Sequence, residues 1–520
     1  VSWAPEMCIR DSYKFQSIYH YLYMKAAIQH SFISRYFPLA FTPLVFGCQS
    51  NTVSTPSHPN VLFILTDDMQ ATSIHALGNE DVHTPAIDSL IAEGVTFTNT
   101  YTNGALCGAL SMPSRAMLMT GRGLYDIQAD GMKIPEAHTT FPQQFRKHGY
   151  HTFATGKWHS DKASFNRSFQ EGDNIYFGGM HPYELNGHCS PHLNRYDSTG
   201  IYGKETEFTG EEFSSKMYAD AAIRFLQSQK DGQQPFLAYV AFTSPHDPRN
   251  QLPAYGQKYS PGALTLPANF LPQHPFDNGE MDVRDELLVP APRTGEQVQK
   301  ELADYYGMIS EVDVQIGRVL QALKETGQAD NTIIVFASDN GLAVGRHGLL
   351  GKQNLYDHSV KVPLTLIAPN YKAQKGKKNR ALCYLHDIAP TLCELAHIPL
   401  PESMTAQSLS QILDDSAAIH RSDLFLAYSN LQRAFVNEHH KYIIYNVGGT
   451  ITEQLFDLRQ DPLEQHNLLP SQEETARSLK DQLAFRMKEE KDFCDLSDPH
   501  WWQDGHKLTF EEMQHLYVYE

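Results

Sequence analysis

The chain has 520 residues, 41% hydrophobic and 20% charged, a balance that builds a packed core and excludes a disordered polymer. A formal net charge of −18, with no long Lys/Arg block, excludes a nucleic-acid binder, although a small basic pocket in such a chain can still take an anionic substrate. The seven cysteines follow neither a disulfide framework nor a zinc-site spacing, and apart from Cys48 they read as packing residues.

Residues 1–59 read as lying outside the fold. The stretch before Met24 reads as upstream read-through. Lys25 and the apolar run ending in Val45-Phe46-Gly47-Cys48 have the charged and apolar regions of a secretory signal. Two endings stay open: a lipoprotein box lipidated at Cys48, or an ordinary cleaved signal peptide. Either implies export, to the periplasm or to the outer membrane and cell surface of a bacterium as a lipoprotein. A polar, Pro-containing tether follows. No later apolar run approaches the ~20 residues that span a bilayer, so an N-terminal lipid would be the membrane contact.

Residues 60–65 (NVLFIL) form a continuous apolar run, the pattern of a strand buried on both faces of a parallel sheet. Thr84, Pro85 and Gly94 bracket a helix whose stripe is Ile87, Leu90 and Ile91. FPQQFRKHGY repeats the scheme and passes into a strand at HTFATGKWH. PFLAYVAFTSPHDP (235–248) is another apolar strand emptying into a loop. Tyr306, Ile309, Val312, Ile316, Val319 and Leu323 predict an amphipathic helix over 302–323, followed by a buried strand in NTIIVFASDNG. This alternation predicts a doubly wound, mostly parallel α/β sheet over 60–423. Over 424–520 the texture changes to hairpin-like strands and one helix, a smaller C-terminal α+β subdomain. Residues 249–295, rich in Pro, Gly and Asn, are too long for a simple connector and are expected to cover one face of the sheet and shape a pocket.

Ligands of open α/β sheets bind beyond the carboxyl ends of the strands, where the polar residues of this chain collect. Asp67 and Asp68 close the first strand, and Asp339 and Asn340 a late one. Either pair alone reads as a turn or cap. Together they form an all-oxygen set suited to a hard divalent cation, Ca²⁺ or Mg²⁺ ahead of zinc. Lys157, His159, His246 and Lys352 each follow a strand end; singly they read as surface or turn residues, and their shared position makes them a candidate site.

SMPSRAMLMTGR (111–122) resembles the signature of type I sulfatases, the formylglycine-dependent branch of the alkaline-phosphatase-like superfamily, in its serine form. LTDD, GKWH, SPHDP, SDNG, GKQNLYDHS and LFDLRQDPLEQHNL follow in the family's order across residues 60 to 470. The resemblance implies a sulfatase in which Ser111 is oxidised to formylglycine (3-oxoalanine) by a radical maturating enzyme. It implies one Ca²⁺, with Mg²⁺ as the alternative, held by Asp67, Asp68, Ser111, Asp339 and Asn340. Arg115 and Lys157 would hold the aldehyde hydrate, and Lys157, His246 and Lys352 the sulfate. His246 would protonate the leaving alcohol and His159 would act as base. Arg346 and His347 would flank the site and contact sugar. Cys107 is not in register with Pro-Ser-Arg and is not the modified residue. GKWHSDK departs from the family pattern after the histidine, which bears on loop shape. The implied substrate is a sulfated polysaccharide or oligosaccharide.

A phosphonate monoester hydrolase or phosphodiesterase of the same superfamily is the alternative. Asn340, where two-metal phosphatases place histidine, favours one metal and sulfate. An inactive sugar-binding relative would be expected to lose Asp67, Arg115 or Lys352. A lipid-modifying transferase would be expected to carry membrane spans.

Overall fold

The computed structural model describes residues 58–501 apart from 107, 233, 370, 372–374, 415–417, 493 and 498–500. The signal-like segment with Cys48 and the residue Cys107 lie outside the described residues. Among the described residues, no helix is long and apolar enough to cross a membrane.

Five parallel strands carry the large sheet: β1 (Asn60–Thr66), β2 (His151–Lys157), β3 (Glu171–Tyr176), β4 (Phe236–Ala241) and β5 (Thr332–Ser338), in the order β5-β1-β4-β2-β3. Leu364–Ile367 adds antiparallel to β5 and leads to Val95–Tyr101, which pairs in parallel with Lys377–Tyr384. Short antiparallel strands, His192–Asn194 and Glu207–Thr209, extend the far edge, and Lys361–Val362 pairs antiparallel with Val95–Tyr101, which brings the sheet to eleven strands among the described residues.

The continuous apolar run of β1 is explained by helices on both faces. Val61, Phe63 and Leu65 point into one hydrophobic core with Met117, Phe141 and Leu392. Leu62 and Ile64 point into the opposite core with Tyr218, Ile309 and Val312. Three of the helices that fill these cores are α1 (Ser111–Thr120), α2 (Ser214–Ser228) and α3 (Gly295–Glu325). Helix α3 starts before the expected 302 because a capping box made by Thr294 and Gln297 satisfies its first amides, and Val298 already joins the apolar stripe. Thr84 does not cap the helix that follows it; its hydroxyl donates to Asp88 Oδ1 at 3.0 Å.

The smaller sheet is a meander of Asp423–Tyr428, Gln432–Asn437, His440–Val447 and Thr450–Asp457. Its fifth strand, Gly104–Ala105, comes from the N-terminal part of the chain and lies parallel to Asp423–Tyr428. Gly104 adopts φ +110°, and a Cβ there would lie 1.8 Å from the carbonyl oxygen of Ala427, so only glycine allows this approach. The helix Glu473–Glu489 buries Ala476, Leu479, Leu483 and Met487, and shares one core with Phe435, Tyr442 and the underside of β1.

Helix α3 also carries Glu311, buried and bonded by Gln315, whose carboxyl is pushed up to about 7 by burial against weaker lowering by Ser215, Gln315 and Arg318. A carboxyl raised on folding favours the folded state while it is protonated, and that contribution is lost as pH rises through its folded value. Glu311→Gln is therefore expected to gain stability over the parent as pH rises from 5 to 8, by up to about 3 kcal/mol. Denaturation midpoints of both proteins across that range check it; an unchanged difference refutes it.

Candidate active site

The register of β1 with β5 builds the site. Thr66 pairs with Ser338, so Asp67-Asp68 and Asp339-Asn340 leave adjacent strand ends side by side. All four side chains are buried, with at most 1% exposure. Helix α1 starts beside them. Its first residue, Ser111, does not cap the helix, whose N-cap position is Leu110. The Ser111 hydroxyl instead lies 3.2 Å from Asp67 Oδ1 and 2.9 Å from Asn340 Oδ1. Ser114, one turn on, donates to the Asp339 carbonyl at 2.6 Å and pins α1 to the end of β5.

Three buried cations answer the three carboxylates. Lys157, the last residue of β2, donates to Asp67 Oδ2 at 2.6 Å. Lys352 reaches Asp68 Oδ1 at 2.6 Å and Oδ2 at 2.9 Å. Arg115 donates through Nε to Asp339 Oδ2 at 2.8 Å and through Nη1 to the Lys157 carbonyl at 2.9 Å; its Nη2 is buried without a hydrogen-bond partner. Asn340 donates to Asp68 Oδ1 at 2.7 Å, which closes the ring.

These contacts set the charge states. Burial opposes ionisation of Asp67, but Lys157, then His246, Arg115 and Lys352, hold its carboxyl well below the usual range. Asp339 moves the other way, pushed up to about 6 by burial and then by the charge of Asp67. Burial lowers Lys157, with Asp67 opposing, whereas Asp68 overcomes burial and raises Lys352.

The two histidines differ. His159 adopts φ +69°, its Nδ1 is buried and unpaired, and burial followed by the charge of Lys157 keeps its ring well below the ordinary imidazole range. His246 is raised: burial lowers it, but the Asp68 carboxylate 3.7 Å from Nε2 outweighs that. Its Nδ1 sits 2.8 Å from the Asp247 carbonyl and 3.1 Å from Asp247 Oδ1.

Ser111, His159, His246 and Lys352 line one cavity of about 350 Å³, with Tyr428, Gln353 and the Val283-Arg284-Asp285 segment on its walls. The long 249–295 segment thus supplies part of the wall. Arg284 binds both oxygens of Asp247, and Tyr183 donates to Asp247 Oδ2 at 2.8 Å, so the rim is a clamp behind His246. Sequence reading passes over Asp247, Arg284, Tyr183 and Tyr428; only the position of Asp247 beside His246 pointed to any of them. Arg346 and His347 do not reach this cavity. Arg346 lines a separate one of about 350 Å³, and His347 stacks on Tyr356 at 4.0 Å and lines a third.

Oxygens of Asp67 and Asn340 meet Ser111 Oγ, and Asp68 joins them through Asn340, a set that fits a hard divalent ion. Asp67, Asp68 and His246 also place ligand atoms within 4.8 Å of one another. The imidazole is the weaker candidate ligand, because three oxygen-bearing side chains already converge and nitrogen suits softer ions.

The pocket lies at the carboxyl edge of a doubly wound sheet, where ligands of such sheets bind. Residues 59–398 match the sulfatase family model, and residues 345–492 match that of the C-terminal part of N-sulphoglucosamine sulphohydrolase. The chain belongs to the sulfatase family and is a sulfuric ester hydrolase. It is similar to an ulvan-active sulfatase of Formosa agariphila, 28% identical over 433 residues that cover 80% of this chain and 78% of the relative. An N-acetylglucosamine-6-O-sulfatase of Bacteroides thetaiotaomicron is 24% identical over 541 residues, 89% of this chain and 91% of the relative. The fold matches the structure of BT4656 in complex with its substrate D-glucosamine-2-N,6-O-disulfate, with TM-score 0.69 and 22% identity over 84% of this chain and 98% of that one. It also matches the phosphonate monoester hydrolase of Agrobacterium radiobacter, with TM-score 0.65 and 22% identity over 83% of this chain and 96% of that one.

Removing Arg115 would strand a buried carboxylate. Arg115→Met is expected to lower stability by about 3–5 kcal/mol. Arg115→Lys should recover little of it, because one ammonium cannot reach both Asp339 and the Lys157 carbonyl. Urea midpoints of the three proteins check this; full rescue by lysine would overturn it.

Proposed function

We propose that the protein removes sulfate from a sulfated polysaccharide or oligosaccharide, using Ser111 after its oxidation to 3-oxoalanine by a radical maturating enzyme, with one Ca²⁺ or Mg²⁺. One observation carries the reading: a serine at the first position of a helix leaves the cap unmade and aims its hydroxyl at Asp67 and Asn340, inside a cavity walled by Lys352, His246 and His159. The glycan class is supported by relatives named for ulvan and for N-acetylglucosamine-6-sulfate. The signal-like segment ending at Cys48 supports export to the periplasm or cell surface, where such glycans arrive.

Asp67, Asp68, Asp339 and Asn340 would hold the ion, which supplies polarisation of the residue-111 oxygens and of the sulfate. The oxidised residue supplies a hydrated aldehyde, one hydroxyl for attack and one for release. The chain's own groups do the rest. Lys157 and Lys352, fixed by Asp67 and Asp68, would hold the sulfate, Lys352 from the cavity wall, so little reorganisation is needed as charge develops. His246, its Nδ1 anchored by Asp247, presents Nε2 as proton donor to the leaving alcohol. His159, neutral and unpaired at Nδ1, takes the proton from residue 111 when sulfate leaves. Arg115 fastens Asp339 and the end of β2, so that Lys157 and residue 111 hold their spacing.

Mass spectrometry of the peptide spanning residue 111, from protein co-expressed with a maturating enzyme, should show a loss of about two mass units, alcohol to aldehyde. Ser111→Ala should abolish desulfation, and a divalent chelator should suppress it reversibly. Fully active enzyme with an unmodified serine would overturn the proposal. A larger kcat/KM on phosphonate or phosphate esters than on sulfate esters would instead establish the alternative hydrolase. His246→Ala should lower kcat by about 10²–10⁴, most on substrates with poor leaving groups. An equal loss on activated aryl sulfates would remove His246 from the acid role.

A further inference from the structure

Among the described residues, seven lysines and arginines have no more than 8% exposure: Arg115, Lys157, Arg293, Arg346, Lys352, Arg433 and Lys441. Six of them contact a carboxylate: Arg115, Lys157 and Lys352 within the site, Arg293 on Glu286, Arg433 on Asp492 and Lys441 on Asp357 and Glu464. Arg346 has none. Its Nη1 meets only the Ala343 carbonyl at 3.3 Å, and the phenol of Tyr306 is its other partner. A buried charge without a counter-charge costs several kcal/mol, and buried charges are as a rule paired. Burial accordingly pulls the Arg346 guanidinium down from its ordinary value.

The surroundings point the same way. Arg346 lines a cavity of about 350 Å³ that shares no lining residue with the Ser111 cavity. Lys361 and Lys378 are on its walls. Lys361 is paired with Asp357, whereas Lys378 meets only the Ala76 carbonyl at 3.2 Å. The two acidic wall residues, Asp357 and Glu464, are both bound by Lys441 from behind. Two more wall residues carry buried polar atoms without partners, Nε2 of His358 and Oδ1 of Asn269. Much of the remaining lining is apolar, including Leu77, Phe97, Val362 and Leu463, as in small-molecule pockets of this size.

We propose that this cavity is a second ligand site, separate from the catalytic one, which binds a small oxyanion, sulfate or carboxylate, on the Arg346 guanidinium with Lys378 at its rim. Asn269 Oδ1 offers an acceptor to a hydroxyl beside the anionic group, so a sugar acid or sugar sulfate fits as well as the free ion. Arg346 lies on the segment joining Asn340 to Lys352, so the two cavities are bordered by one loop. The inference does not rest on the chemistry proposed for Ser111 and survives its failure.

The test compares the parent with Arg346→Gln and Lys378→Gln, all with the Ser111 cavity intact, by thermal unfolding in chloride, sulfate, glucuronate and galactose, and soaks parent crystals in selenate. In chloride Arg346→Gln should melt above the parent, since it removes an uncompensated charge. Its rise in Tm with added oxyanion should be smaller than the parent's. Lys378→Gln should keep the parent's Tm in chloride and need about three- to tenfold more anion for the same rise. Galactose should do nothing. An anomalous selenate peak beside Arg346 is expected. A stronger response to glucuronate than to sulfate identifies a sugar-borne anion as the ligand; the reverse identifies the free ion. If Arg346→Gln fails to fold, Lys378→Gln and the selenate soak decide. Equal anion responses in the parent and every folded variant, with selenate only in the Ser111 cavity, overturn the proposal.

Discussion

Three carboxylates buried within one cluster are the constraint on which the molecule turns. Asp67, Asp68 and Asp339 are fully enclosed at the ends of β1 and β5. Such a group is tolerable only with cations and hydrogen bonds arranged around it. The fold draws those partners from three distant parts of the chain: Arg115 from α1, Lys157 from the end of β2 and Lys352 from the loop after β5. The register of β1 against β5 decides whether the arrangement exists, because a slip of one residue would turn the acidic pairs to opposite faces. Catalytic capacity and structural demand are the same interactions here: each lysine that would face the substrate's charge is also the counter-ion that lets a carboxylate be buried.

Much of this was legible in the sequence. Continuous apolar runs gave β1, β4 and β5, because strands covered on both faces have no polar side to hide. The acidic pairs stood out because they follow those runs directly. The first turns of α3 were not legible, since its opening residues are polar and capped by hydrogen bonds that leave no apolar trace. Val95–Tyr101 was missed for a related reason. Its Thr and Asn residues look exposed, yet it is an interior strand, paired on one side with Leu364–Ile367 and on the other with Lys377–Tyr384. Arg346 and His347 follow a strand end like the others, but the loop turns after Asn340 and carries them to other cavities. Position in the sequence named the edge of the sheet and could not say which side of the loop each side chain takes.

The rim of the catalytic cavity separates what the fold shares from what this chain adds. The fold matches proteins named for sulfate and for phosphonate substrates alike, so architecture alone does not select the reaction. Tyr183, Asp247 and Arg284 come from segments between the core strands and meet in one hydrogen-bonded clamp beside His246. Two of its members face solvent substantially, at 46% for Tyr183 and 43% for the Arg284 side chain, and Arg284 lines the cavity.

The short strand Gly104–Ala105 has a consequence for how the chain is assembled. It is made early and sits in a sheet whose other strands arrive some three hundred residues later. During synthesis that docking place does not yet exist, and the segment immediately ahead of the helix bearing Ser111 has nothing to lie against. The hydroxyl of Ser111, enclosed to 1% exposure in the finished fold, therefore lies just beyond a strand that only the end of the chain can complete.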